Sequence, residues 1–552
     1  LELGHRGWMW AIAHDGGGKS LELLNANMPN DYGQNWTASD QDNGTPGMIN
    51  SVAVENVAPF ILDAIHTPIV PTENEAVAIT ARIIDELRTG IKVILHYRAD
   101  VSVYEGQDIY PHHEPDNYIH VTMFDDGTHG DGAADDEIYG AQIPAQQDGT
   151  IIEFYIEASD AVGYWRTWPA PSIVDGIPEQ VTNALYQVNS SFDGDVTWVP
   201  GRQPIYYLIM TEMERGRLEY IGTHSTLYGP DSQMNTTFIS ADGVDMKVCY
   251  NLGMRNRGHG SRNDPPNNYR LNFPHDRPWK GVTAINLNTK YIYYQLAGNM
   301  LFQLSGLPQP DVTAVQVRVN GENLAEPGQV MYGSYVQVEV IDSDFAGNHS
   351  PDDANGNVYK CMRDFGPADL QYRGSDPDDY RNSYYKMTNE AQDDWSDLMD
   401  LCYVLSETPD DMYVEEVKRV VNVEEWLRFF AINALLDNSE TSLTNGYGDD
   451  YYLYRGLEDP RFVLIQHDLD TIFGRNGSTT SSIFRSSPVR AIDRFLKHPE
   501  FIGRYYFHLR DLIETTLSAE QLRPLLENLL GDFVPSGLIQ DTPASLGMQA
   551  LR

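Results

Sequence analysis

The sequence has few cysteines and no long apolar run, and each shortage excludes a class of protein. Its three cysteines, Cys249, Cys361 and Cys402, are too few and too widely spaced for a disulfide framework or a CxxC metal site. No apolar run reaches the length of about 18 residues that a membrane-spanning helix needs, so no transmembrane segment is predicted. The motifs GxSxG and HExxH, which mark common hydrolases and metalloproteases, are also absent.

Basic residues are scarce as well. The chain has 38 lysines and arginines against 80 aspartates and glutamates, which gives a net charge of −42. A charge of this size repels nucleic acids and anionic lipids, and it suits an exterior or cation-rich setting. We therefore expect no nucleic-acid partner and a secreted or cell-surface location.

The composition is that of a folded protein with several domains. Hydrophobic residues make up 41% of the 552 residues and aromatic residues 11%, which is ample for packed cores. A chain of this length is expected to form about two to four domains. It starts at Leu1 and stops within the phrase SLGMQALR, so we expect a fragment of a larger protein, with any export signal upstream. The sequence does not indicate an oligomeric state.

Residues 422–474 combine a helix, a hairpin and a set of carboxylates. Asn422 with Glu425 three positions later forms a capping box, and the apolar residues that follow at helical spacing predict a buried helix. The β-prone runs 451–454 and 461–465, separated by turn residues, predict a hairpin. Because a hairpin returns the chain, the loop before its first strand is expected to lie beside the loop after its second strand.

These two loops are rich in carboxylates. They contain Asp437, Glu440, Asp449 and Asp450 before the hairpin, and Asp468 and Asp470 after it. Like charges held close together cost free energy unless a cation compensates, and oxygen ligands favour Mg²⁺, Mn²⁺ or Ca²⁺ over zinc. We therefore predict a divalent-cation site through Asp468, with Asp450 or Asp470 assisting. The alternative is a solvated acidic loop in a very acidic protein.

The N-terminal part of the chain is predicted to be rich in β-strands. Residues 1–52 resemble the closing strands of a lamin-tail domain, an immunoglobulin-like β-sandwich. Residues 53–194 contain short strands with turn punctuation, which predict a second β-sandwich similar to immunoglobulin or fibronectin type III modules. Within it, the aspartate-rich stretch 125–137 is either a solvated turn or a loop stiffened by Ca²⁺. It departs from EF-hand spacing, because Gly127 occupies the third ligand position.

From about residue 195 the pattern changes to mixed strands and helices. The fold class that we predict is therefore multidomain, with N-terminal β-sandwich modules followed by an α+β domain over 195–552. The acidic, turn-rich stretch 343–420 is interpreted as an insertion in that domain. Near the start of the α+β domain, Arg257, Ser261 and Arg262 belong to a Gly- and Arg-rich loop between two strands. Such a loop either holds phosphate oxygens or is an ordinary flexible hairpin.

Several motifs of this region occur in an order that resembles the spore coat protein H (CotH) kinase family. They are RGHGS, YRLNF, VNGEN, YGSYVQVE, YYLYR and HDLDTIFG, and the resemblance covers roughly residues 200 to 540. It implies a divergent protein-kinase fold that uses ATP with Mg²⁺ or Mn²⁺. Kinase chemistry needs one carboxylate to orient the substrate hydroxyl and another to hold the metal that bridges the phosphates.

The resemblance also implies roles for individual residues. Glu440 takes the position of the catalytic-loop aspartate, and Asp468 that of the metal-binding aspartate, with Asp470 next to it. Arg257, Ser261, Arg262 and Arg270 match the family's phosphate-side loop and strand, and Glu339 matches an acidic position of its YGxYxxxExxD motif.

The chain departs from the family pattern at four positions. Glu440 stands where the family usually has Asp, and Asp450 where it usually has Asn. Asn267 and Asn272 replace lysines around the YRLNF strand. An extra methylene moves the base by more than an ångström, and misplacement on that scale can cost about a hundredfold in rate.

Two functions of different classes fit these observations. One is phosphoryl transfer from ATP to Ser or Thr of surface or extracellular proteins. The other is a structural or adhesive module of the cell exterior, built on the same fold with impaired catalysis. The acidic loops and family motifs favour the first, and the four departures favour the second.

Overall fold

The computed structural model describes most of the chain. It covers residues 17–104, 117–174, 177–192, 203–224, 231–258, 261–324, 334–362, 366–438, 440, 442–445, 448–473, 482–483 and 487–530. One compact unit comprises Leu1–Leu287 with Val315–Leu324, and the other comprises Asn288–Ala314 with Ala325–Arg552. Over the described ranges, every helix is too short or too polar to cross a bilayer.

The first unit is rich in β-strands. In chain order its elements are β1 (Lys19–Leu23), β2 (Trp36–Asp42), β3 (Phe60–Thr67), β4 (Val77–Ile84), β5 (Lys92–Ala99), β6 (Ile119–Met123), β7 (Ile138–Ile143), β8 (Ile151–Ser159), β9 (Trp165–Trp168), β10 (Ser172–Val174), β11 (Ile177–Glu179), β12 (Ala184–Gln187), β13 (Ile205–Ile209), α1 (Glu212–Thr223), β14 (Met234–Ala241), β15 (Met246–Arg257), β16 (Asn268–Asn272) and β17 (Ala284–Asn288). The strands β1 and β2 form an antiparallel pair.

Two sheets share one hydrophobic core between residues 60 and 187. The order β3-β4-β7 forms the first sheet, and β12-β8-β5-β6 forms the second, with β9 on β8. Along β4, buried Val77, Ile79, Ala81 and Ile83 alternate with more exposed residues, and they join buried residues of β5 and β8 in one cluster. The lamin-tail and immunoglobulin-like assignments stay predictions.

A further, larger sheet of the first unit carries the Gly- and Arg-rich loop. The strands β13 to β17 pair antiparallel in chain order. The strand β18 (Val312–Val319) pairs parallel with β13, with Ile205 opposite Gln316. The loop between β15 and β16 is the one that contains Ser261 and Arg262.

The second unit combines helices with a small sheet. In chain order its elements are α2 (Ile292–Leu304), β19 (Tyr335–Glu339), α3 (Ser343–His349), β20 (Asn357–Cys361), α4 (Asp378–Arg381), β21 (Tyr384–Lys386), α5 (Ser396–Ser406), α6 (Asp410–Val420), α7 (Val423–Leu435), α8 (Ser442–Asn445), β22 (Tyr451–Arg455), β23 (Val463–Gln466), α9 (Arg490–Lys497), α10 (Pro499–Glu514) and α11 (Ala519–Leu530). Buried residues from α2, α5, α7, α9 and α10 belong to one core, in which Trp426 is fully buried.

The stretch 343–420, which we interpret as an insertion, contributes strands to the sheet of the second unit. Its strand β20 lies between β21 and β22 in the sheet order β21-β20-β22-β23. The interpretation as an insertion stays a prediction. Buried Tyr359, Tyr384 and Trp395 of this stretch belong to the main core. The strands β20 and β21 are short and lie between acidic turns, and β20 pairs with β22 far along the chain. Local sequence therefore gave no clear strand pattern here.

The helix α7 begins as the capping box predicts, but its glutamate does something else. The Asn422 Oδ1 accepts from the Glu425 N–H at 3.4 Å, which caps the helix. Instead of reaching back to Asn422, the Glu425 Oε2 accepts from the Leu464 N–H of β23 at 3.1 Å. The other carboxyl oxygen, Oε1, is shielded from solvent and has no hydrogen-bond partner. This contact joins α7 to the hairpin.

The environment of Glu425 predicts a pH-dependent stability. Burial raises the pKa of the Glu425 carboxyl well above 4.5, and the Leu464 N–H opposes the shift only in part. Because the folded state favours the protonated form, this contribution to the free energy of unfolding is present below about pH 4.5 and is lost as pH rises toward the folded pKa. Glu425→Gln removes the titrating group. The free energy of unfolding of this variant, measured relative to that of the wild type, should therefore be higher at pH 8 than at pH 5.

Urea denaturation at the two pH values checks this prediction. The matched control is Glu407→Gln, which changes an exposed glutamate at the end of α5. If the free energy of unfolding of both variants depends on pH as it does in the wild type, the pKa of Glu425 is not raised by folding. The account of this contact is then wrong.

Candidate functional site

The predicted hairpin is confirmed, and it returns the chain as expected. The strands β22 and β23 pair antiparallel, with Tyr451 opposite Gln466. Beyond the last pair, the His467 N–H donates to the Asp450 carbonyl at 3.1 Å, and the Gln466 Nε2 donates to the same carbonyl at 3.0 Å. Asp450 and Asp468 therefore flank the open end of one hairpin.

A buried polar network joins the loop after α7 to the loop after β23. The Thr471 hydroxyl donates to the Asn438 Oδ1 at 2.9 Å and accepts from the Glu440 N–H at 3.1 Å. The Glu440 N–H also lies 3.2 Å from the Asn438 Oδ1, and the Asn438 Nδ2 donates to the Asn433 Oδ1 at 3.0 Å. The side chains of Asn433, Asn438 and Thr471 are at most 2% exposed. In addition, the Phe473 N–H donates to the Leu436 carbonyl at 2.6 Å. The backbone of Glu440 is thus fixed beside the DLDTIF turn.

Three of the loop aspartates have a left-handed backbone. The φ angles are 50° at Asp437, 57° at Asp450 and 54° at Asp468. Non-glycine residues adopt this conformation at a cost of about 1–3 kcal/mol each, and such residues concentrate at functional sites. The positions of these three carboxylates are therefore held by the surrounding structure against local preference.

The carboxylates do not form one tight group in the described part of the chain. Asp468 is exposed, and its Oδ1 accepts from the Asp470 N–H at 3.2 Å. The Asp450 Oδ1 lies 3.5 Å from the His467 Nδ1. Among the described residues, the one set of three or more possible metal ligands with atoms within 4.8 Å of one another is Asp311, Glu339 and His349. Metal binding through Asp468, Asp470 and Asp450 stays a prediction.

The helix α2 braces the turn that follows β23. A Cβ atom at Gly298 would lie 2.9 Å from the Leu469 Cβ, so glycine allows the helix to approach this closely. Next to it, the Gln309 Nε2 donates to the Asn299 Oδ1 at 2.7 Å and to the Gln466 carbonyl at 2.9 Å. The end of β23 is thus fixed from a second side.

In the first unit, the Gly- and Arg-rich loop is closed by its own side chains. The Arg262 Nε donates to the Gly258 carbonyl at 2.9 Å, and its Nη2 lies 2.8 Å from the Asp231 Oδ1. The Asn268 Nδ2 donates to the Ser261 Oγ at 2.9 Å. Gly258 has a φ of 104°, which a side chain would strain. Arg262 thus already pairs with the Asp231 carboxylate. Phosphate binding at this loop stays a prediction.

The same loop is bordered by an arginine that the sequence interpretation missed. Arg255 lies directly opposite Arg270 on β15 and β16, and its Nη1 is 2.7 Å from the Asp231 Oδ1. Burial lowers the pKa of Arg255 to about 10; Asp231 opposes the shift, and the neighbouring arginines add to it. An arginine cluster in so acidic a chain favours an anionic ligand. The cross-strand register was the missing signal, because Arg255 belongs to no motif.

The two asparagines that replace family lysines have structural partners. Asn267 is 4% exposed, and its Nδ2 donates to the carbonyls of Gly222, at 3.0 Å, and Arg262. The Asn272 Oδ1 accepts from the Arg270 Nε at 2.8 Å. Asn267 therefore stabilises the loop from inside and contributes no charge to it.

Glu339 lies at the end of β19, where its basic partner is a histidine. Its carboxylate accepts from the His349 Nε2 at 2.7 Å, the Asn348 Nδ2 at 2.9 Å and the Asp311 N–H at 3.1 Å. Burial by itself raises the pKa of Glu339, but these hydrogen bonds outweigh it and the net pKa is lowered. The basic partner of Glu339 in the structure is therefore His349.

The aspartate-rich loop at 125–137 is a self-bonded turn. The buried Asp131 carboxylate accepts from three backbone N–H groups, those of Asp126, Gly127 and His129, at 2.6–2.9 Å. Asp125 accepts from two further N–H groups at the end of the loop, at 2.9 and 3.1 Å. The carboxylates are thus satisfied by the backbone, and Ca²⁺ binding at this loop stays a prediction.

Comparison with known proteins identifies the family of this chain. The family model described as CotH kinase protein matches residues 254–542, just over half of the 552 residues. The chain belongs to the CotH kinase protein family. All of the candidate residues from Arg257 to Asp470 lie inside the matched span. The protein is therefore multidomain, with many β-strands before a CotH domain.

A curated relative and two solved structures are similar to parts of the chain. Inner spore coat protein H of Bacillus subtilis is 25% identical over 293 residues, which cover 51% of this chain and 74% of the relative. A cycloalternan-forming enzyme of Listeria monocytogenes is 10% identical with a TM-score of 0.15, over 41% of this chain and 19% of the other. An uncharacterised Listeria monocytogenes protein is 9% identical with a TM-score of 0.14, over 41% of this chain and 20% of the other. The chain thus spans about a fifth of either solved structure.

The buried network of the CotH domain predicts a specific effect of a single hydroxyl. Thr471→Val keeps the shape of the side chain but removes the donor to Asn438 and the acceptor for the Glu440 N–H. Losing these two buried hydrogen bonds should lower the free energy of unfolding by about 1–3 kcal/mol. Urea denaturation measures this change.

A matched control is Thr515→Val, which changes an exposed threonine at the end of α10. Surface substitutions of this kind usually change stability by about 0.5 kcal/mol or less. Equal effects of the two variants would contradict the role given to Thr471.

Proposed function

We propose that this CotH-type protein is a protein kinase that transfers the γ-phosphoryl group of ATP to Ser or Thr of surface or extracellular proteins. The observation that carries the proposal is the network of Asn438, Thr471 and Glu440, which fixes two carboxylate loops side by side. Phosphoryl transfer depends mainly on positioning and electrostatic stabilisation, and a rigid pair of acidic loops meets that need.

The residues of the second unit have distinct roles in the proposed reaction. The Glu440 carboxylate orients the substrate hydroxyl and accepts its proton as the hydroxyl oxygen bonds to the γ-phosphorus and ADP leaves. Asp468, assisted by Asp450 or Asp470, would hold Mg²⁺ or Mn²⁺, which would neutralise charge on the phosphates.

The donor set fits a hard divalent ion bound together with a nucleotide. Mg²⁺ is usually held by one or two carboxylates, with phosphate oxygens and water completing its coordination. A cluster of three protein ligands is therefore not required at this position. The left-handed backbone at Asp450 and Asp468 supports a site whose carboxylates are preorganised.

The arginine cluster of the first unit supports binding of the ATP phosphates. Arg257, Ser261 and Arg270 match the family motif, and Arg255 adds a further charge on the neighbouring strand. Guanidinium groups bind phosphate oxygens through paired N–H donors. Arg262 contributes after it leaves Asp231, which is half-exposed and accessible to competition.

An exterior location is part of the proposal. The curated relative, 74% of which is covered by the match, is named inner spore coat protein H, and a spore coat homologue favours an exterior location. The net charge of −42 and the β-rich N-terminal region are consistent with such a setting.

A second function is favoured by one specific observation. Asn267 is buried and bonds to backbone carbonyls at a position where the family has lysine, so one expected phosphate charge is replaced by a structural contact. Together with Glu440 in place of aspartate, this favours a structural or adhesive module of the cell exterior that keeps the fold.

Incubation with γ-labelled ATP and Mg²⁺ or Mn²⁺ distinguishes the two functions. We expect label on protein in the wild type, complete loss in Asp468→Asn, and a drop of about a hundredfold in Glu440→Gln. The control Asp411→Asn removes an exposed carboxylate in the first turn of α6 and should keep full activity.

The variant Glu440→Asp tests whether the longer side chain limits the rate. An increase would identify the extra methylene as the cause of slow transfer. No label transfer and no ATP binding in the wild type would exclude the kinase and leave the structural module.

A further inference from the structure

Three possible metal ligands meet in the second unit at a place that no family motif explains as a set. Asp311 directly precedes β18, Glu339 is the last residue of β19, and His349 is the last residue of α3. One ligand atom of each lies within 4.8 Å of the ligand atoms of the other two. The Glu339 and Asp311 backbones are also paired, since the Glu339 N–H donates to the Asp311 carbonyl at 2.9 Å.

Each of the three side chains is fixed by a neighbour. The Asn348 Nδ2 donates to the Glu339 Oε1 at 2.9 Å, and the Gln303 Nε2 donates to the Asp311 Oδ1 at 2.8 Å. The His349 ring is stacked on Phe345, with centroids 4.2 Å apart. Metal ligands in proteins are typically oriented by such outer partners, which set the ring and carboxylate directions.

The distances leave room for an ion at small cost. The His349 Nε2 and the Glu339 Oε2 are 2.7 Å apart. Two ligands of one tetrahedral zinc ion, each bound at about 2.0–2.1 Å, are separated by about 3.3 Å. An opening of roughly half an ångström would therefore convert this hydrogen bond into a pair of metal bonds. Asp311 is exposed and provides the third ligand from the solvent side.

The charges also favour a cation. Glu339 is 8% exposed, and with Asp311 it places two carboxylates beside one histidine. A bound metal ion would balance the two carboxylate charges, and a neutral imidazole would coordinate it.

We propose that Asp311, Glu339 and His349 form a binding site for a divalent transition-metal ion, with Zn²⁺ as the best fit. One imidazole nitrogen and two carboxylate oxygens are ligands that suit zinc and its neighbours, whereas Mg²⁺ and Ca²⁺ prefer oxygen alone. Three protein ligands leave a fourth position for water. The set shares no residue with the predicted nucleotide-bound ion at Asp468 and does not depend on phosphoryl transfer.

Calorimetric titration of the full chain with Zn²⁺ tests the proposal. The wild type should bind one more equivalent of Zn²⁺ than His349→Gln. Mn²⁺ binding measured with ATP present should be the same in both proteins, which separates this site from the one at Asp468.

Two further variants complete the test. Asp311→Asn changes an exposed ligand and should also lose the equivalent of Zn²⁺ without loss of fold, as checked by circular dichroism. Asp352→Asn, an exposed aspartate in the short helical turn after α3, is the control and should bind as the wild type does. The same zinc stoichiometry in the wild type, His349→Gln and Asp311→Asn would overturn the proposal, as would the absence of zinc binding in the wild type.

Discussion

The candidate site depends on one buried hydroxyl that serves two loops at once. Thr471 donates to Asn438 and accepts from the backbone of Glu440, so the turn after β23 and the loop after α7 keep a fixed distance. Buried polar networks of this kind are stable only when every member is satisfied. The hairpin β22–β23 brings the two loops together, and the network then fixes their register.

Holding acidic loops in this way has a cost that the core must offset. Asp437, Asp450 and Asp468 have left-handed backbones, and their carboxylates belong to a chain of net charge −42. The largely buried helix α7 on one side and α2 on the other provide the rigid support, with Gly298 allowing close approach to Leu469. Strain and like charge concentrated on a packed scaffold are typical of a site that binds a cation.

The parts of the structure that follow from local sequence were predictable. The helix at Val423–Leu435 has apolar residues at helical spacing behind an asparagine cap, and the hairpin has two β-prone runs around turn residues. Both elements form within about fifty residues of chain, so neither needs a distant partner to be recognised. The hairpin also predicted that the loop with Glu440 lies beside the loop with Asp468, whereas the contact of Glu440 with Thr471 came from the structure.

The parts that depend on distant pairing were not predictable. The strand β20 lies in an acidic stretch and is recognised only through its partner β22, almost a hundred residues later. Arg255 is recognised as part of an arginine cluster only because Arg270 lies opposite it on the neighbouring strand. Asp311, Glu339 and His349 are far apart in the sequence and form no motif, although they lie close together in the structure. Glu425 kept its place in the capping box, but its side chain bonds to Leu464, a contact that local spacing does not reveal.

The central claim is that the two acidic loops bind a divalent ion together with a nucleotide. Pulsed electron paramagnetic resonance of Mn²⁺ with ATP, on protein isolated from free nucleotide, tests it most directly in a His349→Gln background. The account predicts protein-bound Mn²⁺ with coupling to ³¹P, which Asp468→Asn abolishes. Bound Mn²⁺ without phosphorus coupling, or the same spectrum in Asp468→Asn, would contradict it.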